Sequence, residues 1–240
     1  MSDTSFRKQS TTVPADFFPT EARGLDWLRS THTVAVPRVL SVGADHIEMQ
    51  RIEHGAWTTA CDERFGRELA ALHRTDASHF GGNGSAYIGP LAMPNTPAHS
   101  WPAFYAEQRV EPFLHTLTSE GRALARRVLD RIDDIAGSPE PPARIHGDLW
   151  RGNVLADRSG TPWVFDPAAH GGHRETDLAM MRLFGGFGEH CYAAYNEAFP
   201  LSDGWRDRIA LHQLHPLLVH SVLFGGSYLD QTVAALRCYA

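Results

Sequence analysis

A chain of 240 residues with 42% hydrophobic and 21% charged residues has the make-up of an ordinary globular protein, which excludes a disordered chain and leaves room for one large domain or two lobes around a cleft. The net charge is −6, Lys8 is the only lysine and the arginines are scattered, so no nucleic acid is expected as a partner. Cys61, Cys191 and Cys238 stand at unrelated spacings, the stretch from Met1 to Thr12 is polar, and no apolar run approaches a spanning length; a cytoplasmic protein with no membrane contact is expected.

Ser5 to Gln9 read as the end of a strand, followed by a polar linker through Pro14. From Phe17 to Ser30 the residues Phe18, Ala22, Leu25, Trp27 and Leu28 fall near helical spacing, which predicts an amphipathic helix. Val34 to Val42, interrupted by Pro37, and His46 to Ile52 predict two strands. Glu63 to Thr75 predicts a second helix, and the Gly-, Pro- and Asn-rich stretch from Ser78 to Ser100 reads as a loop. Helices are expected over Trp101 to Leu117 and Ser119 to Ala136, stopped by Gly137-Ser138-Pro139-Glu140-Pro141-Pro142. Ala143 to Ile145, Val154 to Ala156 and Trp163 to Phe165 are short strand-like pieces. Beyond Asp177 the pattern is helical again, over Leu178 to Phe184, His190 to Ala198 and a long apolar run from Ile209 to Tyr228. The expected architecture is α+β: a small lobe of sheet with one helix (residues 1–53, including a hinge) and a larger, mainly helical lobe (54–240).

The residues able to carry chemistry sit among the short strands. In His146-Gly147-Asp148-Leu149-Trp150-Arg151-Gly152-Asn153 an Asp and an Asn stand five positions apart, the interval of a kinase catalytic loop. Phosphoryl transfer needs a carboxylate that orients the attacking hydroxyl and takes its proton, and oxygen ligands for magnesium. Asp148 would be that base and Asn153 one ligand. Asp166, directly after the apolar Trp163-Val164-Phe165, would be the other. An isolated Asp-x-x-x-x-Asn reads first as a capped turn. The ordered set of His146, Asp148, Asn153 and Asp166, with strand-like residues before its first and last members, favours phosphotransfer. Two histidine pairs, His170-x-x-His173 and His212-x-x-His215, invite a zinc reading, but with 14 histidines such pairs arise by chance and neither has the Glu of His-Glu-x-x-His.

His-Gly-Asp-Leu-Trp-x-Gly-Asn, Asp166-Pro167-Ala168, Gly172-His173-Arg174-Glu175-x-Asp177-Leu178-Ala179-Met180 and Leu183-Phe184-Gly185-Gly186-Phe187 together resemble the fructosamine kinase (ketosamine-3-kinase) family. That family sits within the wider aminoglycoside and choline phosphotransferase group, whose fold is kinase-like. The resemblance extends to Glu21-Ala22-x-Gly24-Leu25, Leu69-Ala70-x-Leu72-His73, Tyr87-Ile88-Gly89 and the segment from Leu214 to Tyr228. It implies a two-lobed kinase-like fold and ATP- and Mg2+-dependent phosphorylation of a hydroxyl on a ketosamine or related amino sugar. It also implies that Lys8 holds the α- and β-phosphates with Glu21 as its helix partner, and that Met49 to Ile52 are the hinge, with the backbones of Gln50 and Ile52 on the adenine edge. The alternative for Lys8 is an exposed terminal lysine. Trp150 would stack on a sugar face or belong to the core. His173, Arg174, Glu175 and Asp177 would either brace the catalytic loop and border the acceptor site, or form a solvated helix start with Asp177 as its cap.

Members of the family begin with a hairpin and a Gly-containing loop over the phosphates, whereas seven residues precede Lys8 here. Either the first two strands are absent or the start is placed too far downstream; as written, the N-terminal lobe is expected to be shortened, and its bared sheet edge would favour pairing of two protomers. Two alternatives follow: a kinase-like nucleotide- or partner-binding protein without turnover, and an aminoglycoside- or choline-type kinase.

Overall fold

The computed structural model describes residues 5–240. It opens with strand β1 (Ser5–Gln9), helix α1 (Phe17–Arg29), β2 (Val39–Val42) and β3 (His46–Gln50), which form an antiparallel sheet in the order β1-β3-β2. Lys8 pairs with Ile47 and Phe6 with Met49, so β1 is a sheet edge among the described residues. The expected strand from Val34 is shorter than read. Pro37 keeps the 34–36 stretch out of the ladder, and Ala35 makes only an isolated bridge to Trp163.

Helix α2 (Thr59–His73) follows, capped by Thr58, whose side chain accepts the Cys61 N–H. The stretch expected to be a loop contains a hairpin, β4 (Ala86–Ile88) with β5 (Leu91–Met93). The single helix expected from Trp101 is regular only over α3 (Trp101–Tyr105). A π turn (Ala106–Val110) and a 3-10 turn (Glu111–Thr116) complete it, because Pro112 has no N–H to continue the ladder. Helix α4 (Ser119–Asp130) is likewise separated from the short α5 (Ile132–Ile135) at Arg131.

Strand β6 (Ala143–Ile145) leads into the loop of interest, then β7 (Val154–Ala156), β8 (Pro162–Val164) and β9 (His170–Gly172). β7 pairs with β8, and β6 with β9, a strand the sequence does not announce. The remainder is helical: α6 (Glu175–Phe184), α7 (Glu189–Ala198), α8 (Trp205–Phe224) and α9 (Tyr228–Arg237). The run expected to continue to Tyr228 stops at Gly225 and Gly226, both at φ 63. A small sheet with one helix above a larger helical body is a two-lobed, protein-kinase-like fold. No helix among the described residues is long and apolar enough to cross a membrane.

Two apolar clusters hold the molecule together. One joins α3, α4, α8 and α9 around Tyr105, Val110, Leu211 and Leu214. The other is continuous across residue 53, running from Phe18 and Leu25 on α1 through Ile47 and Phe65 to Tyr195 on α7. Leu149, fully buried in the second cluster, pins the middle of the 146–153 loop, and its neighbours Asp148 and Trp150 border the cleft.

Candidate active site

The turn at Gly147 sets the geometry of this loop. Gly147 has φ 79, and a Cβ there would lie 2.3 Å from the Ala168 carbonyl oxygen, so only glycine lets the loop approach the segment after Asp166 so closely. Asn153 Nδ2 donates to the Asp148 carbonyl at 2.8 Å and to Asp148 Oδ2 at 3.0 Å, which fixes the carboxylate and turns the Asn153 side-chain oxygen elsewhere. His146 braces the loop from behind. Its Nδ1 accepts the Asp148 N–H at 3.3 Å and its Nε2–H donates to the Phe165 carbonyl at 3.0 Å. Burial lowers the His146 pKa, and a neutral ring with its proton on Nε2 satisfies both bonds. The Phe165 N–H to Asn153 carbonyl bond, 3.1 Å, ties the loop to the segment between β8 and Asp166.

Asp177 holds the same loop from the other side. Its carboxylate accepts the His146 N–H at 2.7 Å and the Gly147 N–H at 2.9 Å, and lies 3.2 Å from His73 Nε2. Burial opposes its ionisation, but the His73 bond and the neighbouring imidazoles and N–H groups outweigh burial and keep its pKa below the usual carboxylate range.

The residues before Asp177 on the chain form a buried brace. Arg174 meets both oxygens of Glu140 at 2.6 and 2.8 Å and stacks 3.8 Å from the Phe199 ring centre. Glu175 meets Arg208 at 2.9 and 2.6 Å; burial works against its charge, yet His212 and Arg208 hold its pKa at about 2. The His173 ring lies against those of Trp101 and His212. None of the four borders the cleft, so neither the acceptor wall nor the solvated helix start describes them.

His173, Glu175 and His212 do bring one potential ligand atom each within 4.8 Å. The Arg208 guanidinium occupies both carboxylate oxygens and His173 Nδ1 accepts the Glu175 N–H, while His212 Nδ1 pairs with Thr176 Oγ1 and its buried Nε2, 3.4 Å from Glu175 Oε2, makes no hydrogen bond. Neither histidine pair noted in the sequence forms this group: His170 bonds the Ala168 carbonyl and His215 the Arg109 carbonyl.

Across the cleft, Lys8 Nζ donates to Glu21 Oε1 at 2.6 Å and also touches Asp166 Oδ1. Burial lowers the Lys8 pKa, but the two carboxylates more than reverse this and keep it cationic; burial raises that of Glu21, with Lys8 pulling the other way. Asp166 itself has φ 56, the left-handed region that Asp tolerates better than most residues. Lys8, Glu21, Asp148, Trp150, Asn153 and Asp166 all line one cavity of about 820 Å³. Burial pushes Asp148 up to about 7; the Asn153 bond opposes this, and the charges of Asp166 and Asp177 add to it. Asn153 and Asp166 supply oxygen donors of the hard type that magnesium takes, so the side chains fit that ion.

Trp150 is 41% exposed, with its ring over Gly152, where a Cβ would lie 2.2 Å from the indole, and its edge toward Phe184. It is therefore not a core residue. Gly152→Ala is expected to displace the indole and raise the acceptor KM by about 2–10-fold, an effect of the size of one aromatic contact. An unchanged KM would remove Trp150 from acceptor binding.

At the expected hinge one backbone donor is already engaged. Met49 is buried in the core, the Gln50 N–H already donates to the Arg38 carbonyl at 2.8 Å, and neither these nor Ile52 line the cavity. A hydrogen bond from the Gln50 N–H to adenine is thus unavailable in this arrangement. Sequence reasoning also missed the far wall of the cavity, made by the α1 residues Thr20, Arg23, Gly24 and Trp27 and by the 76–89 segment. Tyr87 closes it by donating from its hydroxyl to Asp16 Oδ1 at 2.7 Å and setting its ring edge-on to Phe17.

The chain as a whole is similar to known proteins. A crystal structure from Thermobifida fusca, provisionally named a fructosamine-3-kinase, superimposes with a TM-score of 0.93 at 48% identity, covering 98% of this chain and 85% of that one. A probable ketoamine kinase of Vibrio parahaemolyticus is 37% identical over 223 residues, 89% of this chain and 77% of that protein. Choline kinase LicA of Streptococcus pneumoniae, at 12% identity and a TM-score of 0.66 over 100% of this chain and 87% of that one, shares the fold. The fructosamine kinase family model matches residues 2–239, and with that match spanning the loop, the Lys8 strand and the brace behind them, the chain belongs to the fructosamine kinase family.

Proposed function

We propose that the protein transfers the γ-phosphoryl group of ATP to a hydroxyl of a ketoamine, with magnesium as cofactor. The observation that carries this reading is the cavity that brings Asp148, with its pKa raised to about 7, together with two oxygen ligands and an ion-paired lysine. Lys8, held between Glu21 and Asp166, would bind the nucleotide phosphates, and Asn153 and Asp166 would hold magnesium. Magnesium, when bound, neutralises charge on the phosphate oxygens. Asp148 orients the acceptor hydroxyl and takes its proton as the oxygen bonds to the γ-phosphorus and the bond to the ADP oxygen breaks. Trp150 offers a half-exposed aromatic face to the sugar. His173, Arg174, Glu175 and Asp177 act on the reaction only through the position of the loop.

The division into a nucleotide-side lobe (1–53) and an acceptor-side lobe (54–240) and a cytoplasmic setting complete the proposal.

ADP release in the presence of magnesium and a panel of ketoamines, amino sugars, aminoglycosides and choline tests the function. Stimulation by ketoamines is expected, and an acceptor-independent rate across the panel would refute the reading. The pH profile carries a second expectation. The base must be ionised, so kcat/KM should rise as pH increases through about 7 and level off above it. A flat profile from pH 5 to 8 would remove Asp148 as the proton acceptor.

A further inference from the structure

The cavity does not end at the reacting groups. It continues as a groove between α1 and the 76–89 segment, bordered also by Pro167 to Gly171. Its two parts differ in charge. Around the reacting position stand the carboxylates of Asp148, Asp166 and Glu21, with Lys8 among them. Along the α1 side stand Arg23 and Arg144, whose hydrogen-bond partners are neutral. Arg23 Nη2 donates to Thr20 Oγ1 at 2.8 Å, and Arg144 donates to the Trp27 carbonyl at 3.0 Å, Ser30 Oγ at 2.9 Å and the Asp76 carbonyl at 3.4 Å. Asp76 borders the same stretch, and the charge of Arg23 is felt at Asp16, yet neither arginine forms an ion pair among the described residues. Arg144 is held by four contacts, the fourth a stack on Trp27, whereas Arg23 has one hydrogen bond and an exposed side chain. Arg23 is the guanidinium with donors to spare.

A ketoamine carries a basic secondary amine beside its sugar. When that amine comes from an amino acid, a carboxylate follows it, so the acceptor presents a cation and then an anion, the complement of a groove that runs from carboxylates to guanidinium groups. A ketoamine of a simple amine offers the second half of the groove nothing. Resting on the ketoamine reading above, we propose that Arg23 is a specificity-determining residue that receives the carboxylate of an amino-acid-derived ketoamine lying along α1.

The test uses two matched acceptors, the fructose-derived ketoamines of glycine and of methylamine, which differ by the carboxylate. With the wild type, kcat/KM for the glycine compound should be about tenfold the higher, expressed in KM, as suits a charge-assisted bond at a partly exposed site. Arg23→Gln should bring the ratio close to one, Arg23→Lys should keep part of it, and the preference should weaken in high salt. Equal kcat/KM for the two acceptors in the wild type, or an Arg23→Gln loss shared equally by both, would overturn the assignment of Arg23 while leaving the ketoamine reading intact. No turnover of either compound would overturn that reading and this inference with it.

Discussion

Asp148→Asn is expected to lower kcat by about 10²–10⁴-fold, the range that a positioned general base supplies, with little change in the acceptor KM. The substitution isolates the proton transfer because the fold tolerates it. The Asn153 Nδ2 that now donates to Asp148 Oδ2 at 3.0 Å would donate to the amide oxygen of the variant, and the Asp148 N–H bond to His146 involves only backbone and imidazole. Stability should move in the opposite direction from activity. Burial raises the Asp148 pKa from the ordinary carboxylate range to about 7, so ionising it costs more in the folded than in the unfolded chain. That cost develops between about pH 4 and pH 7 and is complete above, so the neutral variant should melt at or above the wild-type temperature at pH 8. Single-turnover phosphate transfer and thermal melts at pH 8 read both effects. A variant that keeps a tenth or more of the wild-type kcat would remove Asp148 from the chemistry.

The second large effect lies at Asp177, which reaches no substrate. Asp177→Ala leaves the His146 and Gly147 N–H groups and the His73 ring without their acceptor in a fully buried pocket. The expected destabilisation is about 3–5 kcal/mol, as for removing one partner of a buried charged network. Asp177→Asn should fall between, because an amide accepts one of these N–H groups but sets its own NH2 against another. Both variants should lose kcat more than acceptor binding where they remain folded, since a misplaced loop misplaces Asp148. Urea unfolding monitored by tryptophan fluorescence gives the first quantity. A loss below about 1 kcal/mol for the Ala variant would show that the loop stands without Asp177.

How much of this was legible in the chain itself varies with the distance over which each feature is built. Helices α1 and α2 announce themselves because Phe18, Ala22, Leu25 and Leu28, and then Phe65, Leu69 and Leu72, repeat at helical spacing on faces that are buried. The 146–153 loop is legible because its chemistry is local: Asp148 and Asn153 bond one another within a single turn. Strand β9 is not legible, because His170-Gly171-Gly172 has no strand-like side chains. Its glycines serve close backbone approach, a Cβ on Gly171 falling 2.0 Å from the His79 carbonyl oxygen. Hairpin β4–β5 is hidden for a related reason, three-residue strands being too short to display a period of two. That the Gln50 N–H is already engaged is not legible either, because its partner, the Arg38 carbonyl, is set by the sheet and not by the residue type. Least legible of all is the groove beside Arg23, which exists only where α1 and the 76–89 segment face one another.

With magnesium held by Asp166 as proposed above, the left-handed backbone at that residue restricts which descendants of this gene can remain active. Of the residues reachable from an Asp codon by one base change, Asn and Gly suit that conformation, and neither has a carboxylate. Glu keeps the charge, but it carries a longer side chain and a weaker preference for positive φ. Ala, Val, Tyr and His offer no carboxylate and fit the conformation less well than Asn or Gly. Position 166 is thus constrained twice, by charge and by chain geometry, and no single-base step satisfies both. Drift at this codon should therefore be confined to the synonymous one.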